Sequence, residues 1–163
     1  MGNYFHGFTG LPKAQGKDCI YVVVDRLNKY AHFFPITSGL KASQVAELFF
    51  KNFFRLHGLP RNIFNDRDSR FLTSFWKDLF HLARTELAPS TSYHPQTDGQ
   101  TRIVNKWIEG YLRNYVSNQQ HAWVKWLHLG EYCYNTSHHM SIGMPNFHPL
   151  YGYDALSFVD IVL

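Results

Sequence analysis

Cysteine is scarce in this chain, with two among 163 residues, Cys19 and Cys133. Two thiols so far apart make neither a metal-ligand spacing nor a disulfide framework. Both stand among apolar neighbours, so they read as reduced core thiols of an intracellular protein. No apolar run approaches the ~20 residues that a membrane-spanning helix needs. No basic segment leads into an apolar stretch as in a signal peptide. The opening Met-Gly-Asn-Tyr-Phe-His fits a myristoylation start poorly, because His6 stands where Ser or Thr is favoured. Basic tails, blocks of like charge, internal repeats and low-complexity linkers are also missing. The net charge of +4 therefore permits an acidic partner without requiring one.

Aromatic residues, by contrast, are plentiful: 14 Phe, 10 Tyr and 4 Trp. Such rings need burial or a stacking partner. The length suggests one domain over 1–163, with about 4–140 as its core and 141–163 as a C-terminal tail.

Periodicity supplies the expected elements. Residues 4–9 can form a short strand, and DCIYVVVD, Asp18 to Asp25, is a β-branched apolar run and the clearest strand. YAHFFPI, Tyr30 to Ile36, reads as the next strand, with Pro35 pointing to a sheet edge. A helix follows with Ala42, Val45, Ala46, Phe49, Phe53 and Leu56 on one stripe, stopped by Gly58 and Pro60. Asn62 to Asn65 is a short strand. Thr73 or Ser74 can cap a helix to about Arg84 that turns Phe75, Leu79 and Leu82 inward. Residues 85–88 are a fifth strand, and 89–97 a loop. A long helix then spans about Asp98 to Val116. Ile103, Val104, Trp107, Ile108, Tyr111, Leu112 and Tyr115 form its buried side, and Arg102, Asn105, Lys106, Glu109 and Arg113 the other. A last helix, about His121 to Tyr134, carries Trp123, Trp126 and Leu127. Pro145 and Pro149 should then make a loop. This order predicts an α/β architecture: a mixed five-stranded sheet flanked by helices.

Asp66 directly follows a strand, where carboxylates commonly hold divalent ions, and Asp68 is two residues on. An isolated Asp-x-Asp is also an ordinary solvated turn. His138 and His139 could suggest metal, but adjacent side chains diverge on most backbones, so a structural role is expected there.

Four ordered blocks sharpen the reading: GLPKAQGKDCIYVVVDRLNKYAHFFPI, GLPRNIFNDRDSRFLTSFWKDLF, YHPQTDGQTRIVNKWIEGYLRNYV, and WVKWLHLGEYCYNTSHHMSIGM with LYGYDAL. Together they resemble the integrase core of gypsy-class LTR retrotransposons, within the retroviral integrase family, over essentially the whole chain. The resemblance implies a ribonuclease-H-like fold. It also implies DNA integration through two Asp and one Glu that hold two Mg²⁺ ions for in-line attack on phosphate. The family's upstream zinc-binding module and downstream DNA-binding domain have no counterpart in these residues.

At family spacing the second Asp is Asp66, the Glu position holds Arg102, and the first Asp position, aligned on Gly10-Leu11-Pro12, holds His6. Arg offers donors only. A unit positive charge about 4 Å from a dication is repelled by roughly 8 kcal/mol at an effective dielectric near 20. Imidazole can ligate transition metals, but Mg²⁺ prefers oxygen. The expectation is therefore a degenerate motif without two-metal catalysis, with Mg²⁺ or Mn²⁺ relevant only if some activity remains. Asp66 could still hold one ion weakly with Asp25 or His6. Arg102 could form an i,i+4 pair with Asp98. With Lys106 and Arg113 it could instead meet phosphate, joined by Tyr93, His94 and Gln96 of the loop. Expected partners are DNA, weakly bound, and a second copy of the chain, with neither membrane nor small-molecule substrate. The alternative is an active polynucleotidyl transferase with an atypical ligand set. A DNA-binding protein of this kind would work in the nucleus, and otherwise in the cytoplasm.

Overall fold

The computed structural model describes residues 2–25, 27–59, 62–65, 69–83, 99–116, 120–139 and 142–156. Asp66, Asp68, Tyr93, His94, Gln96, Asp98 and the fifth strand expected at 85–88 lie outside the described residues.

Among the described residues, four strands form the main sheet. They are β1 (Gly2–Phe8), β2 (Cys19–Asp25), β3 (Ala31–Ile36) and β4 (Asn62–Asn65), in the order β3-β2-β1-β4. β1 pairs antiparallel with β2 and parallel with β4, and β2 pairs antiparallel with β3. The sheet is mixed, as expected, but only four of its five expected strands are within the described residues.

Every residue of β2 is buried, because helices cover both faces of this inner strand. That explains its unbroken apolar run. Ile20, Val22 and Val24 face one side, against Val104, Ile108, Tyr111 and Leu112 of α4 (Gly99–Val116) and Trp123, Leu127 and Tyr134 of α5 (Trp123–Thr136). Cys19, Tyr21 and Val23 face the other. They meet Val45, Ala46 and Phe49 of α1 (Ala42–Phe49) and Phe75, Trp76 and Leu79 of α3 (Ser69–Leu82). Gln44 Oε1 accepts the Lys41 N–H at 3.0 Å, satisfying a free donor at the α1 start.

The helix after α1 departs from simple periodicity. Phe50–Phe54 form a π-helical turn, followed by α2 (Arg55–His57). The wider turn carries the buried stripe from Phe49 to Phe53 to His57 at steps of four, so Leu56 is 58% exposed rather than inward. The Asn52 side-chain amide donates to the Leu48 carbonyl at 2.9 Å inside this region.

Other expectations are also corrected. α3 begins at Ser69, which places Thr73 and Ser74 inside the helix instead of at its cap. Leu82, Ile103 and Tyr115 are exposed, since they sit at helix ends or rims beyond the layer that the sheet covers. Tyr115 nonetheless extends a stack: its ring lies 4.7 Å from Tyr111, which lies 5.3 Å from Trp107. Pro149 does not prevent a helix. It occupies the third position of α6 (Phe147–Tyr151), within the first turn, where an N–H has no intrahelical partner. β5 (His138–His139) and β6 (Met144–Pro145) form a small separate hairpin.

β3 is the edge strand, consistent with Pro35. Its outward backbone groups belong to alternate residues, 31, 33 and 35. Asn135 of α5 accepts the Ala31 N–H at 2.9 Å and donates to the Ala31 carbonyl at 2.8 Å. Glu131, one helical turn earlier, accepts the Phe33 N–H at 2.8 Å. Pro35 has no N–H. Two side chains and one proline thus satisfy or remove all three outward donors.

Candidate functional site

The expected site positions lie on β1, after β4 and at the start of α4. The parallel ladder between β1 and β4 runs from Gly2–Asn62 to Phe5–Asn65. His6 is the next residue on β1, and Asp66 is the next residue along the chain after β4. His6 pairs with Val22 of β2. Val22 lies in the core that includes Val104 and Ile108 of α4, so this row of the sheet underlies α4. Arg102 is in the first turn of α4, two residues before the buried Val104. α4 packs against β1, the strand that carries His6.

Asp25 is not part of that group. It pairs with Asn3, three residues away from His6 along β1, or about 10 Å at the rise of a strand. Its Oδ1 instead accepts the backbone N–H groups of Leu27 at 2.7 Å and Asn28 at 3.3 Å, which fixes the β2–β3 turn. Among the described residues, no group of three or more His, Cys, Asp or Glu side chains is arranged to hold a metal ion.

The polar face of α4 is accessible. Lys106, Glu109 and Arg113 are exposed, and Arg113 donates to Glu109 Oε1 at 2.7 Å. That exposed i,i+4 pair is worth at most tenths of a kcal/mol, so it leaves the guanidinium available to a phosphate. Asn105 differs from its expected exposure: it is half-buried, and its Oδ1 has no hydrogen-bond partner among the described residues. His138 and His139 fall on the β5–β6 hairpin. Burial lowers the pKa of His139, and the nearby Lys29 and His138 add to that effect.

A second polar group was not anticipated from the sequence. Asp25, Asn28, Tyr30, His32, Phe53 and His57 line a small recess beside β3. His32 is buried, with Nδ1 3.0 Å from Glu131 Oε1 and Nε2 2.9 Å from His57 Nε2. Burial lowers the His57 pKa, as does the neighbouring His32, while Asp25 opposes them. Burial raises the Tyr30 pKa, assisted by Tyr151 and Glu131. The only sequence signal was a histidine within the apolar run of β3.

Transposon Tf2-3 polyprotein of Schizosaccharomyces pombe is 34% identical to this chain over 154 residues, or 94% of the chain. Transposon Tf2-4 polyprotein of the same organism matches equally. The chain is homologous to a segment of gypsy-type transposon polyproteins. It spans 12% of the length of these curated relatives. No protein-family model matches the chain. Among solved structures, the HTLV-2 integrase catalytic core domain in complex with magnesium, in its trimeric form, superposes with a TM-score of 0.66 at 14% identity. That match covers 92% of this chain and 95% of the other. A chain of the simian T-cell lymphotropic virus intasome in complex with PP2A regulatory subunit B56 gamma gives a TM-score of 0.66 at 15% identity, covering 96% of this chain and 55% of that one. This chain thus has the fold of the integrase catalytic core, which is ribonuclease-H-like.

Proposed function

We propose that this integrase-core-like domain has lost two-metal strand transfer and retains a weak nucleic-acid-binding or protein-contact role. The observation that supports the reading is the pairing of β1, which carries His6, with β4, whose chain continues into Asp66, together with the packing of α4, which carries Arg102, against β1. An imidazole and a guanidinium do not fit a site for paired magnesium ions, because neither supplies anionic oxygen to offset the charge. Asp66 alone would hold Mg²⁺ or Mn²⁺ weakly.

Arg102, Lys106 and Arg113, with Tyr93, His94 and Gln96 of the preceding loop, would contact the DNA backbone. The magnesium-bound HTLV-2 core has been solved in dimeric and trimeric forms, which supports self-association as a second mode of contact. We assign 1–163 to a single domain, with residues 85–88 as a fifth strand of its sheet. A DNA-binding role places it in the nucleus, and a purely protein-binding role in the cytoplasm.

The test is a strand-transfer assay with Mg²⁺ and with Mn²⁺, run beside calorimetric titration of each ion. The unaltered chain is expected to be silent and to bind no pair of ions, while His6→Asp with Arg102→Glu gains ion binding. Strand transfer or two tight ion sites in the unaltered chain would establish an atypical ligand set and overturn the proposal.

A further inference from the structure

Glu131, His32 and His57 join three elements that are remote in sequence: α5, the edge strand β3, and the helix end beyond the π turn. Arg55, Leu56, Gly58 and Leu59 are exposed, whereas His57 is half-buried. His57 is therefore the side chain through which residues 55–59 reach the core. Its ring is 4.6 Å from Phe53 and 5.1 Å from His32.

The hydrogen-bond geometry limits how many protons the two rings can hold. With Glu131 as a carboxylate, His32 Nδ1 is a donor. A neutral His32 then accepts at Nε2 from His57 Nε2–H. With one added proton, a His32 imidazolium donates at both ends, to Glu131 and to His57 Nε2. Both states fit the 2.9 Å separation. Two imidazolium rings do not, because opposed N–H groups and two like charges would meet across that gap. A metal bridge is a poorer fit. Two nitrogens on tetrahedral zinc stand about 3.3 Å apart, and no third donor is arranged with them among the described residues.

We propose that Glu131–His32–His57 is a one-proton latch that fastens residues 55–59 to the sheet edge and opens when a second proton arrives. Other ionisable groups face it from the surrounding elements: Asp25 at the end of β2, Tyr30 before β3, and Tyr151 of α6, whose ring is 6.0 Å from Tyr30. Asp25 favours the charged His57, and so works against closure in acid. Burial raises the pKa of Tyr30, which stays neutral through the relevant range. Protonation frees His57 from His32, and the exposed neighbours of His57 provide no substitute contact. The segment that leads toward β4 then opens locally without global unfolding.

Two measurements on the intact chain test this. Long-range ¹H–¹⁵N NMR of the imidazoles identifies which nitrogens carry protons. Amide hydrogen exchange at Gly58, whose N–H bonds the Phe54 carbonyl at 2.8 Å, reports opening. The expected result is one shared proton in the closed state. Exchange at Gly58, corrected for its intrinsic pH dependence, should rise by up to about tenfold per pH unit below about 6.5. In His57→Gln, which can hydrogen-bond but not titrate, that added dependence should vanish. Doubly protonated His32 and His57 with Gly58 still protected would overturn the latch. So would pH-independent protection in the unaltered chain, or an unchanged slope in His57→Gln. The imidazole spectra decide the matter alone if the variant fails to fold.

Discussion

Replacing Asn135 with alanine should cost this fold more than most single substitutions. Asn135 is 1% exposed and makes two hydrogen bonds to one residue of the edge strand, at 2.9 Å from the Ala31 N–H and 2.8 Å to its carbonyl. Truncation strips both partners from a residue that is itself 0% exposed. Each backbone group left unsatisfied costs about 1–3 kcal/mol. Alanine returns roughly half a kcal/mol through its better helix propensity. The net loss should be about 2–4 kcal/mol, a large share of the ~5–15 kcal/mol that holds a typical domain together. For a chain of this size that lowers Tm by roughly 4–15 °C. Urea unfolding of both chains, fitted with a common slope, gives the free-energy difference. Amide exchange at Ala31 identifies the bond responsible. A loss below about 0.5 kcal/mol, or an Ala31 amide as protected in the variant as in the parent, would refute the reasoning.

Three other outcomes follow from named contacts. A Cβ on Gly130 would come within 2.8 Å of the Tyr111 ring; Gly130→Ala should therefore destabilise by about 1–2 kcal/mol despite gaining helix propensity, as read by thermal unfolding. If the α4 face meets phosphates, Arg102→Ala and Lys106→Ala should each reduce the salt dependence of DNA binding by about one unit of log–log slope, measured by fluorescence anisotropy. The lowered pKa of His57 means that the folded state binds its proton less tightly than the unfolded chain. Stability should therefore be fully present above about pH 6.5 and decline as pH falls below it, and His57→Gln should flatten that decline in urea titrations at pH 7.5 and 5.5.

Much of this architecture was readable from local pattern. The run Cys19 to Asp25 carries its own evidence for a strand with both faces covered, and Pro35 marks the edge that β3 forms. Val104, Ile108 and Leu112 repeat at helical spacing and do face the sheet. Periodicity failed where the backbone changed its step. Counting at 3.6 residues per turn selects Leu56, whereas the π turn delivers His57. It also overstated the apolar stripe at Ile103 and Tyr115, because spacing says which side a residue takes but not where the covering layer stops. Contacts such as Ala31 with Asn135, 104 residues apart, leave no periodic trace. At the candidate site, the His32–His57–Glu131 group depends on a tertiary meeting that spacing does not encode.

The sealed flank of β3 has a consequence for assembly. A strand arriving at that side would find no free amide with which to zip up: one is held by Asn135, another by Glu131, and proline has none to offer. Any extension of the ladder, from this polypeptide or from a neighbouring molecule, is directed to the opposite flank, beside β4. The sheet can therefore grow in one direction only.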